Sequence, residues 1–177
     1  IAVANVPTYG ENTVAEHVFA LLLAVSHHLV DAVDRTRRGD FSQQGLQGFD
    51  LAGRTLGIIG TGNQACNAHI PQSNPDYIEF VAFSEIRPSN QKRARKLFNE
   101  KYGQEAANKI KLYEDYHELL NDKEIELVIV VLPLHLHAQV TNEALKAGKH
   151  VLCEKLMAKT IDQCKSMVRT ADQQKRL

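Results

Sequence analysis

Residues 56–65 read LGIIGTGNQA, an apolar run followed by Gly60, Gly62 and the small Ala65. Set between a strand and a helix, this G-x-G-x-x-A pattern answers a specific physical need. Gly60 permits the tight turn, Gly62 lets the backbone approach a pyrophosphate, and Ala65 lets the following helix pack against the strand. The helix start adds N–H groups without intrahelical partners and the positive end of the dipole, so Thr61, Asn63 and Gln64 join the glycines as candidate cofactor-binding residues. A glycine triplet alone is weak evidence. Glu85 strengthens it, standing 20 residues after Ala65 at the end of the next expected strand, where a carboxylate accepts hydrogen bonds from the adenosine ribose. A carboxylate there repels a 2′-phosphate, which favours NAD over NADP. Arg87 works the other way, because a guanidinium can reach a 2′-phosphate or stack on adenine. The bland alternative for the same residues is a solvated Glu–Arg turn before Pro88.

Outward from the turn, short strands alternate with helices. Strands are expected at 55–59, 80–84, 110–112, 127–132 and 150–153, and helices at 63–72, 89–102, 113–120, 136–146 and 160–176. The runs LGIIG and LVIVVL are apolar on both faces, as strands between two helical layers must be. The alternation implies right-handed crossovers and an α/β fold built on a doubly wound parallel sheet, the Rossmann architecture. Residues 54–177 would form the nucleotide-binding core. Residues 1–53 would add an apolar strand, a long helix and a glycine-containing loop, all within a single dinucleotide-binding domain spanning 1–177.

The N-terminal helix is expected to begin at Asn12 or Thr13, with Glu16 in the capping-box position, and to end among Arg35, Arg37 and Arg38 before Gly39. It is apolar nearly all round at first: Val14, Val18, Phe19, Leu21, Leu22, Leu23, Val25, Leu29 and Val30. Such a surface must be covered, by the same chain or by a second copy.

Composition narrows the function classes. The 177 residues carry 21 basic and 21 acidic side chains, a formal net charge of zero. Neither a nucleic-acid groove nor an anionic-membrane surface fits that balance. The cluster KRARK at 92–96 reads as a solvated helix face. The longest apolar run, 18–25, is far shorter than the roughly 20 residues that span a bilayer. No signal peptide is apparent, and a start at Ile1 rather than Met suggests a fragment, a processed product or an engineered chain. Cys66, Cys153 and Cys164 form no CxxC, which suits a reducing, cytoplasmic setting. His135 and His137, two apart at an expected strand end, would share one side, but no Cys or acidic partner lies nearby in sequence, so no metal site is expected.

Two family resemblances follow from particular stretches. IAVANVPTYGENTVAEHVFALLLAVSHHLVDAVDRTRRGDF at 1–41, with GLQGFDLAGRTLGIIGTG at 45–62, resembles the D-2-hydroxyacid dehydrogenases of the D-lactate dehydrogenase type. That resemblance implies homodimerisation through the cofactor domain and places Tyr9 near substrate and nicotinamide. The family's catalytic arginine, glutamate and histidine come from segments replaced in this chain. From Asn63 to Lys175, FSEIRPSN, LYEDYHELLNDKEIELVIVVLPLHLHAQV, ALKAGKHVLCEK and AKTIDQC resemble the glucose-fructose oxidoreductase and inositol dehydrogenase family. This second resemblance implies that Leu132, Pro133, His135 and His137 line the cofactor. It also places Glu154 and Lys155 beside the nicotinamide, with Lys155 contacting substrate as the catalytic candidate. The family's proline after that lysine, which helps set a special backbone turn, is Leu156 here, leaving the orientation of Lys155 open. The change of family falls inside the shared glycine turn, so the chain reads as an engineered or recombined chimera. Neither family's substrate domain is expected within it, and residues 1–5 would occupy the sixth-strand position of the sheet.

Three functions therefore compete: a module that binds NAD without turnover, an oxidoreductase for a hydroxyacid or a sugar or polyol completed by the N-terminal segment or a second subunit, and a purely structural chain with an empty groove. An acid-base pair of Lys155 with His135 or His137 belongs to the second. A solvated strand-end lysine belongs to the first.

Overall fold

The computed structural model describes residues 20–21, 23–50, 53–73 and 78–177, and the chain divides into two compact units, Ile1–Leu51 and Ala52–Leu177. The expected strand at the N-terminus, the cap at Asn12 or Thr13, Tyr9 and the apolar positions Val14, Val18, Phe19 and Leu22 lie outside the described residues. In the first unit, residues 20–21 and 23–26 are helical, and helix α1 (Leu29–Arg37) follows. The uninterrupted helix expected from the sequence is thus broken: His28 takes a left-handed backbone with φ of 50°. The following loop closes on this break, where the Phe49 N–H donates to the Ser26 carbonyl at 3.0 Å. Helix α1 buries none of its residues, and Leu29, Val30 and Val33 are exposed.

The second unit holds five strands, β1 (Arg54–Ile59), β2 (Ile78–Ser84), β3 (Lys111–Tyr113), β4 (Leu127–Val130) and β5 (His150–Cys153), in the spatial order β3-β2-β1-β4-β5. Every neighbouring pair is parallel. This is the doubly wound sheet that the sequence predicts. The helices are α2 (Ile70–Gln72), α3 (Pro88–Tyr102), α4 (Gln104–Lys109), α5 (Tyr116–Asn121), α6 (Leu134–Lys146) and α7 (Ile161–Gln174). Helix α4 replaces what reads in sequence as a loop, starting after Gly103, which ends α3 with a positive φ.

Both faces of the central strands are buried. On one face Ile59, Val128 and Val130 pack with Leu119 of α5 and Val140 and Ala144 of α6. On the other, the β1–β2 register passes from Leu56↔Phe80 to Gly57↔Ala82, skipping Val81. Because strand side chains alternate, that extra residue brings Phe80 and Phe83 to the same face. Both rings then meet Phe98 of α3, at 5.6 and 5.5 Å between centroids.

At the sheet edge, the Asp122 carboxylate accepts from Lys111 Nζ at 2.8 Å, Tyr113 Oη at 2.9 Å and the Glu124 N–H at 3.0 Å. Burial pushes the Asp122 carboxyl up, but these donors outweigh it and bring it down to about 2. A folded value below the unfolded one, about 3.9, stabilises the fold above that pH, and the contribution disappears as pH falls from about 4 to about 2. Thermal melts followed by circular dichroism are therefore expected to show Tm falling steeply over this window, and Asp122→Asn to lower Tm at pH 6 while making the acid fall shallower. An unchanged acid limb in the variant would contradict the assignment.

Candidate cofactor site

In an open α/β sheet, ligands bind outside the carboxyl ends of the strands where the strand order reverses, which here is between β1 and β4. Gly60 sits at that point with φ of 89°, and a Cβ there would collide with the Val131 carbonyl oxygen and lie 2.9 Å from Leu132 Cδ2. Gly62 differs: a Cβ built on it meets nothing within 4 Å, so its backbone faces open space. Ala65 is fully buried, as close packing of the next helix requires. That helix is not a uniform α-helix. After helical Asn63 and Gln64, residues Ala65–His69 form a π-helical turn that runs into α2.

Thr61 and Glu85 form the buried floor of the turn. The Glu85 carboxylate, 8% exposed, accepts at Oε2 from the Thr61 N–H (3.0 Å), Thr61 Oγ1 (3.2 Å) and Asn90 Nδ2 (3.1 Å), and at Oε1 from the Arg87 N–H (2.9 Å). Burial raises its pKa, but the hydrogen bonds from Arg87, Thr61 and Asn90 prevail and hold it below the usual carboxylate range. Oε1 has only the Arg87 N–H as its protein partner among these bonds, and a carboxylate oxygen can accept a second. Arg87 is exposed and caps α3. Arg93 of α3 reaches back to the turn, donating to Asn63 Oδ1 at 2.7 Å and Asn67 Oδ1 at 2.6 Å.

Across the crevice, Pro133 precedes α6 as its N-cap and the Leu132 side chain lies against Gly60. His135 and His137 do not share one side. They fall in the first turn of α6 rather than at a strand end, so two residues of spacing turn them roughly 200° apart. His135 is exposed; His137 is 2% exposed, with Nε2 at 2.7 Å from the Leu132 carbonyl and Nδ1 at 2.8 Å from the Leu156 carbonyl. Its ring nitrogens tie together the segments that follow β4 and β5, rather than pairing with Lys155. Lys155 is exposed, and the peptide bond between Lys155 and Leu156 is cis.

Glu154, immediately past β5, is joined to the glycine-turn helix. His69 Nε2 lies 2.7 Å from Glu154 Oε1, Gln64 Nε2 donates to the same oxygen at 3.4 Å, and the Lys155 N–H donates to Oε2 at 3.1 Å. The His69 hydrogen bond holds the Glu154 carboxyl below its ordinary range against the opposing effect of burial. His69 and Arg93 were not singled out by the motif. His69 lies within the helix that the glycine turn opens, which is the only mark it leaves in the sequence.

A parallel 3-2-1-4-5 sheet, a glycine turn at its switch point and an acidic residue closing the second strand define a dinucleotide-binding Rossmann domain. Residues 54–177 match the family described as the oxidoreductase family, NAD-binding Rossmann fold, and the chain belongs to it. Residues 19–70 match the NAD binding domain of D-isomer specific 2-hydroxyacid dehydrogenases, so the two matches overlap at β1 and the turn. An uncharacterized oxidoreductase of Schizosaccharomyces pombe is 37% identical over 113 residues, covering 62% of this chain and 28% of that protein. A 2-hydroxyacid dehydrogenase homolog of Haemophilus influenzae is 45% identical over 62 residues, 35% of this chain and 19% of that one. A crystal structure of a 3-ketoreductase from Actinomadura kijaniata with NADP superposes with a TM-score of 0.58 at 29% identity, covering 70% of this chain and 35% of the other. The chain thus spans about a third or less of the length of these relatives. Among the described residues no helix is long and apolar enough to cross a membrane.

The two glycines predict opposite behaviour. Gly60→Ala is expected to cost roughly 2 kcal/mol or more in urea denaturation, because it adds both a collision and a disfavoured φ. Gly62→Ala is expected to change stability by less than about 1 kcal/mol while weakening NADH binding, measured by fluorescence titration. Equal destabilisation by both would contradict the geometry.

Proposed function

We propose that the chain is an NAD(H)-binding module of oxidoreductase type, its 177 residues acting as one dinucleotide-binding domain. The single observation that carries this reading is the buried Glu85 carboxylate, kept ionised beneath the turn and retaining acceptor capacity at Oε1 for a ribose hydroxyl. The pyrophosphate would lie against Gly60, Thr61, Gly62, Asn63 and Gln64. Leu132, Pro133, His135 and Glu154 would flank the nicotinamide half, with His137 bracing them from below. Bound there, the nicotinamide supplies hydride transfer. That step also requires a substrate held against the ring, and the role proposed for these residues is to hold the cofactor for it. The runner-up, an oxidoreductase acting on a hydroxyacid or a sugar or polyol, rests on the exposed Lys155 beside Glu154 and on the names of the relatives.

The overlap of the two family matches at residues 54–70 supports reading the chain as a recombined or engineered chimera joined within the turn. Free Cys66, Cys153 and Cys164 suit a reducing, cytoplasmic setting.

Fluorescence titration tests the cofactor reading. Saturable NADH binding is expected, tighter than NADPH by roughly tenfold, since the Glu85 charge opposes a 2′-phosphate. Glu85→Gln should narrow that preference. Absence of saturable binding at millimolar NADH would leave only the structural reading, and turnover abolished by Lys155→Ala would favour the enzyme.

The same reading includes a homodimer through the N-terminal helix. Val30 is 73% exposed and Leu29 54%, and α1 buries nothing, which a second copy of the same face would remedy. Light scattering at micromolar concentration is expected to give twice the chain mass, and Val30→Glu to shift it toward the monomer. A monomeric mass for the unaltered chain would overturn the dimer.

A further inference from the structure

We propose that His69 is a positioning residue for the nicotinamide half of the cofactor, acting through Glu154. The inference deepens the cofactor reading above and rests on it. A dinucleotide crossing the switch point lays one half over β1 and β2 and the other over β4 and β5. Glu85 closes β2 and so belongs to the adenosine half. Glu154 is the first residue past β5 and so belongs to the other.

Glu154 is half-buried, with its backbone fixed by donation of its N–H to the Val130 carbonyl at 3.1 Å. The shortest hydrogen bond orienting its side chain comes from His69, 85 residues earlier, whose Nε2 lies 2.7 Å from Oε1, with Gln64 Nε2 at 3.4 Å from the same oxygen. Both side chains are largely shielded, at 11% and 15% exposure, so the pair is not a solvent-screened surface contact. Oε2 receives only the Lys155 N–H among its protein partners and has capacity for a further donor, which a nicotinamide carboxamide or ribose hydroxyl would supply. His69 is delivered by the π-helical turn Ala65–His69, where the Ile70 N–H bonds to the Ala65 carbonyl. That wider turn lets Ala65 face the sheet while His69 reaches Glu154, and π turns concentrate at functional sites. One short segment therefore supplies the phosphate turn at its start and the support of the opposite cofactor half at its end.

The test separates the two halves of the ligand. Dissociation constants for NADH and for ADP, which lacks the nicotinamide riboside, are measured by fluorescence titration and calorimetry on the whole chain. His69→Ala is expected to weaken NADH about tenfold, the scale of a lost hydrogen bond to a charged group, and to leave ADP within about twofold. His69→Gln, whose amide still donates, is expected to recover NADH affinity to within about threefold. Glu154→Gln should give the same NADH-selective loss and keeps the proposal testable where His69→Ala does not fold, as judged by circular dichroism. Equal weakening of NADH and ADP would make His69 a structural support of the turn, and no change in either would deny it any role; both overturn the proposal. An unaltered chain that binds neither ligand overturns the cofactor reading itself, whereas NADH binding indifferent to both substitutions overturns the role of His69 alone.

Discussion

The close approach of β1 to the end of β4 at Gly60 is the constraint on which the rest of the site depends. With no Cβ to separate them, the Val131 carbonyl and the Leu132 side chain close over the Gly60 backbone. The hydrogen-bond ladder can then continue past the strands themselves. The Gly60 N–H donates to Ser84, Val131 to Ile59, Glu85 to Tyr113 and Glu154 to Val130. All five strand ends are thereby locked to one another at the rim of the crevice. The residues that leave this rim, Thr61, Glu85, Leu132 and Glu154, have little backbone freedom, so the placement of their side chains follows from the ladder.

Much of this was legible in the sequence because it depends on local chemistry. LGIIG and LVIVVL are apolar on both faces for the same reason that β1 and β4 are central, and glycine at 60 answers a local collision. What was not legible depends on phase and distance. The run LVIVVL reads as strand through residue 132, yet β4 stops at Val130 and α6 begins at Leu134. That shift converts a strand period of two into a helical one and sends His137 inward, away from His135. Neither His27 nor His28 is a helix breaker by composition, so the break before α1 leaves no local mark. The His69–Glu154 pair joins residues 85 apart and comes through a π turn, which no periodicity of 3.6 anticipates.

The two family matches meet where the structural demands are most nearly generic. Residues 54–70 supply a buried strand, a turn with one positive φ and a small residue under a helix. These requirements are set by backbone geometry more than by particular neighbours. At the start of β1 the stitching to the β4 side is both side-chain and backbone. Arg54 pairs with Glu126, the Thr55 N–H donates to the Glu126 carboxylate, and the Glu126 N–H donates to the Thr55 carbonyl. Apart from these contacts, β1 meets its neighbours through the ladder and through aliphatic side chains, which repack with small penalties when volume is kept.

The charge pattern of the crevice follows the same economy and points to its ligand. The turn presents N–H groups and a helix start in the middle, while a carboxylate stands toward each end, Glu85 on one side and Glu154 on the other. Neither carboxylate is neutralised by lysine or arginine in the hydrogen bonds that hold it. Glu85 is held by backbone N–H, hydroxyl and amide donors, and Glu154 by His69, Gln64 and the Lys155 N–H. For Glu85, donors without a full charge orient the carboxylate while leaving much of its negative field intact, which an arginine partner would cancel. A ligand complementary to this pattern is anionic at its centre, with hydroxyl or amide donors, or a cationic ring, toward its ends. Dinucleotides of the nicotinamide type have that distribution. An added phosphate on the adenosine ribose would bring a second anion against Glu85, with the guanidinium groups of Arg87 and Arg93 on the same side of the turn. The N–H groups and helix start of the turn thus lie between two carboxylates, an arrangement that suits a dinucleotide whose anionic centre rests on the turn.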